Sequence, residues 1–227
     1  MPLTCTLTGV DAWTSLAEVE SLAREFPLAE WGFLYYAGRT EGRYSAYGTI
    51  GFQLGFLAGK ARVALHICGH EALSQYLDGA GVAADLARMV DRVQINLRLT
   101  ETNVGPLGDA IARSKIPVIV QYNQANAELW KKLPGSQLTL FDGSGGKGLL
   151  PEEWPAPISD QPFGYAGGLA PENIVAELPR MQKAAQGSTA WQWIDMEGQL
   201  RTADRFDLFR CRTVLEALDG CEKGKAA

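Results

Sequence analysis

The stretch Phe163–Ile174, "FGYAGGLAPENI", passes through three kinds of local chemistry in quick succession. An apolar run comes first, Gly167 and Gly168 interrupt it, and Pro171 with Glu172 then opens a segment suited to a helix. Aromatic residues favour a strand, glycine frees the backbone to turn, and proline followed by an acid makes a good first helical turn. Strand, turn and helix in that order are half of a βαβ unit, and the order recurs along the chain. Short apolar and aromatic runs occupy Leu3–Thr8, Trp31–Tyr36, Arg62–Ile67, Arg92–Leu97, Pro117–Tyr122, Gln137–Phe141, Phe163–Ala166 and Ala190–Asp195. Between most of them lies helical spacing: Leu16, Val19, Leu22 and Phe26 share one face, as do Phe206, Phe209, Val214 and Leu218. Parallel neighbours need a crossover, and a helix is the usual one. Eight such units in 227 residues predict an α/β chain closed into a (β/α)8 TIM barrel, with an open doubly wound sheet as the competing arrangement.

Two units are irregular. "LPEEWPAPISD", Leu150–Asp160, carries three prolines, so the crossover after the sixth strand is expected to be a loop. Gly48, Gly51, Gly55 and Gly59 weaken the second helix. No linker or low-complexity tract divides the chain, which predicts one barrel domain over residues 1–221 and a frayed tail over 222–227. A net charge of −5 gives no field for condensing on nucleic acid or anionic lipid. The start of the chain has no basic flank, and no run of about eighteen apolar residues occurs, so a cytoplasmic chain with no membrane or nucleic-acid partner is expected. Cys5, Cys68, Cys211 and Cys221 show no C-x-x-C spacing and read as free thiols.

In a barrel the chemistry gathers at the carboxyl ends of the strands. "AGGLAPEN" puts two glycines between a strand and a helix start, where amides and a helix dipole can converge on an anion; a tight turn without ligand is the alternative. "FDGSGGKG", Phe141–Gly148, lacks the spacing of a nucleotide P-loop, and its informative residue is Asp142, a carboxylate at a strand end.

The order "LFDGSGGKG" then "AGGLAPENI" resembles phosphoribosylanthranilate isomerase, a barrel of tryptophan biosynthesis. "WGFLYY" with "GRYSAY", "VQINL" and "LTG" carry fainter likeness along nearly the whole chain. The resemblance implies an Amadori rearrangement, an aldose–ketose isomerisation of a phosphorylated aminosugar, which needs an acid and a base on opposite sides of the substrate and no metal or organic cofactor. It implies Asp142 as the acid and Thr8 at the position of the base. Arg43, Gln94 and Asn96 would contact substrate, and Gly145, Gly146, Gly167, Gly168 and Gly198 would hold phosphate. The partner is then a small phosphorylated substrate, and the chain a monomer or homodimer.

Three residues depart from the family pattern. Thr8 stands where the family has cysteine, and an unactivated hydroxyl holds its proton too tightly to act as a base. Cys5 alternates to the other strand face, while Asp11 and Cys68 lie nearer the mouth and compete for the role. Asn96 replaces a histidine, and "DMEG" brings Glu197 to where a Ser-Ser-Gly would hold phosphate, with Arg201 as its expected ion partner. These changes open an alternative: a divergent or catalytically idle barrel that binds another small ligand. In "HICGH", His66, Cys68 and His70 alternate, but Gly69 breaks the strand and no fourth ligand is near, so no metal site is expected. Gln94, Asn96, Gln121 and Asn123 are amides at period two, aimed inward as a ligand floor or a satisfied network.

Overall fold

The structure, a computed structural model, describes residues 3–96 and 98–224. Eight parallel strands close into a barrel in chain order: β1 (Thr4–Thr8), β2 (Ala29–Tyr36), β3 (Arg62–Cys68), β4 (Arg92–Asn96), β5 (Val118–Tyr122), β6 (Leu138–Asp142), β7 (Phe163–Ala166) and β8 (Trp191–Met196). Closure is made by β1, which pairs with β2 through Cys5↔Ala29 and with β8 through Cys5↔Ile194. Each expected strand is present within one or two residues at its ends, and Leu97, expected at the end of β4, lies outside the described residues.

Helices α1 (Leu16–Glu25), α2 (Tyr47–Leu57), α3 (His70–Leu77), α4 (Val82–Ala87), α5 (Val104–Arg113), α6 (Ala127–Trp130), α7 (Ile174–Ala184) and α8 (Leu208–Gly224) surround the sheet. Ser15 caps α1 by accepting from the Glu18 amide, and Val19 and Leu22 are buried. The glycines of α2 do not break it, because Ile50, Leu54 and Leu57 bury one face and anchor the helix from its side. Between Asp142 and Phe163 there is no helix, as the prolines require.

Three details differ from the sequence reading. Phe209 is 77% exposed, while Val214 is buried as expected and is joined on the inner face of α8 by Cys211 and Leu215; Phe206 precedes the helix, which begins at Leu208. The segment before it is a hairpin, β9 (Arg201–Thr202) with β10 (Arg205–Phe206), turned by Ala203 and Asp204 at positive φ. Helix α7 starts at Ile174, with Pro171–Asn173 forming a turn ahead of it. Of the expected tail, residues 222–224 continue α8 and 225–227 lie outside the described residues.

The barrel interior divides into two halves. Ile119, Leu138, Leu140, Ala166 and Trp193 form an apolar cluster on one side. On the other, Arg92 donates to Glu30 Oε1 at 2.8 Å and to Thr6 Oγ1 at 2.9 Å, all three groups buried. Gly164 allows the Trp193 ring to fill the axis, since a Cβ there would lie 2.2 Å from it. Three strand-to-helix loops share one device. Asn103, Asn126 and Asn173 each accept from the amide three residues back, at 2.8–2.9 Å. Each also donates to the carbonyl five residues back, at 2.8–3.1 Å. Asparagine supplies both a donor and an acceptor, so one side chain closes each loop.

Candidate functional site

A cavity of about 550 Å3 opens at the carboxyl ends of the strands. Asp142, Arg43, Gln94, Asn96 and the glycines at 145, 146, 167, 168 and 198 all line it; Thr8 does not. Thr8 is fully buried one layer below, where its hydroxyl donates to Asp195 Oδ1 at 2.7 Å. Gly32 leaves room for it, since a Cβ at that position would come within 2.4 Å of the Thr8 oxygen.

Asp195 is a cavity-lining carboxylate at a strand end to which the sequence reading gave no role. It is 7% exposed and accepts from Thr8 and, at 3.0 Å, from Gln94 Nε2. Burial pushes its carboxyl above the usual aspartate value, against the opposing pull of these two hydrogen bonds and of Arg92, while Asp142 adds to the rise. Its sequence signal was the inward register of β8, with Trp193 and Asp195 on the same strand face. His66 completes the layer. Its Nε2 lies 3.4 Å from the Thr8 hydroxyl, and its Nδ1 accepts from the Gln94 amide at 3.2 Å. Burial lowers the imidazole to about 4, which leaves the ring neutral near pH 7. Gln94 Oε1 has no partner among the described residues.

Asp142 ends β6 and organises the glycine loop after it. Its Oδ1 accepts from the amide and hydroxyl of Ser144 at 3.0 and 2.8 Å, and its Oδ2 from the Gly146 amide at 2.6 Å. The Gly145 amide binds the Asp142 carbonyl at 3.1 Å, so both loop glycines direct their N–H groups at Asp142. The second pair differs. No loop carbonyl among the described residues accepts from the Gly167 or Gly168 amide. Packing alone also demands glycine here: a Cβ on Gly168 would lie 2.3 Å from Leu150 N, and φ is +112° at Gly167 and +66° at Gly168.

Other expected contacts resolve differently. Glu197 pairs with Arg43, not Arg201, across the rim. Arg201 instead donates to Asp11 Oδ2 at 2.9 Å, and Asp11 also accepts from the Phe206 amide, which ties the β9–β10 hairpin to the loop after β1 and keeps Asp11 out of the cavity. Cys5 packs on the outer barrel face with Leu215 of α8 nearby. Cys68 lines the cavity, and burial raises its thiol to about 12, too high for a base near neutrality. His66 points inward from β3 while exposed His70 begins α3, so the alternation of that motif ends at Gly69. No group of three or more metal-ligating side chains converges among the described residues. Nor is any helix among them long and apolar enough to cross a membrane.

Comparison with known proteins extends these observations. No protein-family model matches the chain, and no curated protein matches it in sequence. Solved structures do match in shape. The TrpF structure from Jonesia denitrificans superposes with a TM-score of 0.65 at 14% identity, covering 96% of this chain and 97% of that one. The phosphoribosyl anthranilate isomerase of Thermus thermophilus gives 0.65 at 17% identity, over 96% and 100%. A third, an isomerase in complex with reduced 1-(o-carboxyphenylamino)-1-deoxyribulose 5-phosphate, gives 0.62 at 14%, over 96% and 99%. Likeness at these identities is likeness of fold, and what this chain shares with the phosphoribosylanthranilate isomerase structures, from end to end, is their closed eight-stranded barrel.

Proposed function

We propose that the chain is an isomerase of the Amadori type acting on a phosphorylated aminosugar, with Asp142 and Asp195 as its proton-transfer pair. The observation that carries this reading is that two carboxylates, from β6 and β8, line one ligand-sized cavity whose wall is the glycine turn after β7. The ligand held by the isomerase neighbour, a reduced aminoketose phosphate, supports the substrate class.

In this reaction Asp142 donates a proton to the ring oxygen, the C1–O bond breaks, and C1 becomes an iminium carbon. Asp195 then removes the C2 proton and returns it to C1 of the resulting enaminol, while the C2 hydroxyl gives its proton back to Asp142 as C2 becomes a carbonyl. The change is redox-neutral: one hydrogen has moved from C2 to C1 and one proton from the C2 hydroxyl to the former ring oxygen. A carboxylate whose affinity for protons is raised by burial is a stronger base than an ordinary aspartate, so Asp195 takes the role for which Thr8 is unsuited. Thr8 becomes a positioning residue that orients Asp195 from below. Gln94 and Asn96 line the cavity together, Gln94 holding Asp195 through its amide and Asn96 bordering it. The amides of Gly167, Gly168 and Gly198 receive the phosphate, and Lys147 is a further cationic residue of the same cavity. Gly145 and Gly146 act at one remove, by holding Asp142.

Turnover of phosphoribosylanthranilate, followed by chromatographic separation of substrate and product, tests the reading. Asp142→Asn and Asp195→Asn should each lower kcat by roughly 10²–10⁴-fold. A wild-type chain that binds the reduced aminoketose phosphate but turns nothing over would favour the second reading, an idle or redirected barrel. The Arg43–Glu197 pairing is what recommends that alternative, because it occupies a cation that the isomerase resemblance assigns to substrate.

A further inference from the structure

The Arg43–Glu197 pair bears on the substrate itself. Arg43 comes from the loop after β2 and Glu197 from the end of β8; both line the cavity, with side chains 38% and 30% exposed. Beside them, the rings of Tyr36 and Tyr44 meet edge to face with centroids 5.5 Å apart, and both also line the cavity. The Arg39 guanidinium lies 4.2 Å from the Tyr36 centroid, so that ring face already receives a cation.

A ligand carrying only a carboxylate would take Arg43 and leave Glu197 unpaired next to a new negative charge. One carrying only an ammonium would do the reverse. A group with both charges on one carbon replaces a single internal ion pair by two pairs to the ligand and keeps the charge of the rim unchanged. We infer that the rim is a zwitterion subsite: the substrate's end remote from the phosphate bears a carboxylate and an ammonium together, as an α-amino acid does. This rests on the phosphorylated-aminosugar reading above and narrows it, since a plain aryl carboxylate meets only half of the pair.

Four probes made by reductive amination of ribose 5-phosphate separate the possibilities. The amines are the side-chain amine of lysine, which leaves a free α-zwitterion, 6-aminohexanoate, which leaves a carboxylate, 1,5-diaminopentane, which leaves an ammonium, and anthranilate. Titration calorimetry on the wild-type chain should find the lysine derivative bound about tenfold more tightly than either singly charged alkyl probe. Glu197→Gln should erase that preference and tighten the 6-aminohexanoate derivative by releasing Arg43. If the carboxylate-only or the anthranilate derivative binds wild type best, the zwitterion subsite is wrong while the phosphosugar reading stands. Failure of all four to bind overturns both. The ranking on wild type requires no variant to fold.

Discussion

Asp195 and His66 lie within one buried layer, yet burial moves their protonation in opposite senses, and each shift is open to measurement. For Asp195 as a base, activity should emerge as pH rises through its raised value, so the acid limb of kcat/KM should sit above the ordinary aspartate range. The Thr8 hydroxyl is one of the groups that pulls that value down. Thr8→Val should therefore move the acid limb to higher pH; a limb that stays fixed while kcat falls would assign Thr8 some other role. His66 has the contrary sign. Its folded value, about 4, is below the unfolded 6.5, so its contribution is complete above pH 6.5 and is lost as pH falls toward 4. The loss amounts to about 3 kcal/mol, and His66→Gln should flatten urea-denaturation stability across that window. The departure of position 8 from a thiol was legible in the sequence, but its remedy was not. Thr8 and Asp195 are 187 positions apart and meet only because β1 and β8 close the barrel.

Among the elements, the asparagine clamps and helix α2 show how far local pattern carries. Asn173 ties the turn holding Gly167 and Gly168 to the start of α7 through two hydrogen bonds. Asn173→Ala removes both and should cost about 1–3 kcal/mol in chemical denaturation, with weaker binding of the reduced aminoketose phosphate as the turn loosens. In α2, a Cβ on Gly51 meets nothing within 4 Å, and the residue lies inside the helix. Gly51→Ala should stabilise the chain by about 0.5–1 kcal/mol, read from the shift in the denaturation midpoint. The glycine-rich helix and the helix-free segment after β6 were both legible, since propensity and proline geometry act between near neighbours. The β9–β10 hairpin was not: Ala203 and Asp204 carry no Asn-Gly signal, and the turn is held in place by Arg201 reaching Asp11. Phe206 was assigned to the helical face for the same reason, because the helical spacing runs on through a segment that the hairpin takes over, and Phe209, inside α8, faces outward.

Across the whole molecule, the polar half of the barrel core is the arrangement most exposed to disruption. Arg92 is the cation that Glu30 and Thr6 share inside the sheet. Arg92→Leu would leave the buried Glu30 carboxylate with only the Thr6 hydroxyl and the more distant Arg62, at 3.9 Å, and should cost about 3 kcal/mol of unfolding free energy, whereas Arg92→Leu with Glu30→Leu should recover much of it. Alternation of strand and helix, the inward face of each strand and the loop after β6 can be read from residues a few positions apart, because pleat and helical period are properties of the local backbone. Partnership across the closed sheet obeys no such short-range rule. Glu197 with Arg43 instead of Arg201, Thr8 beneath Asp195, and Leu150 pressed on Gly168 are contacts between distant segments, chosen by which side chains the cylinder brings within reach and which charges it leaves without water.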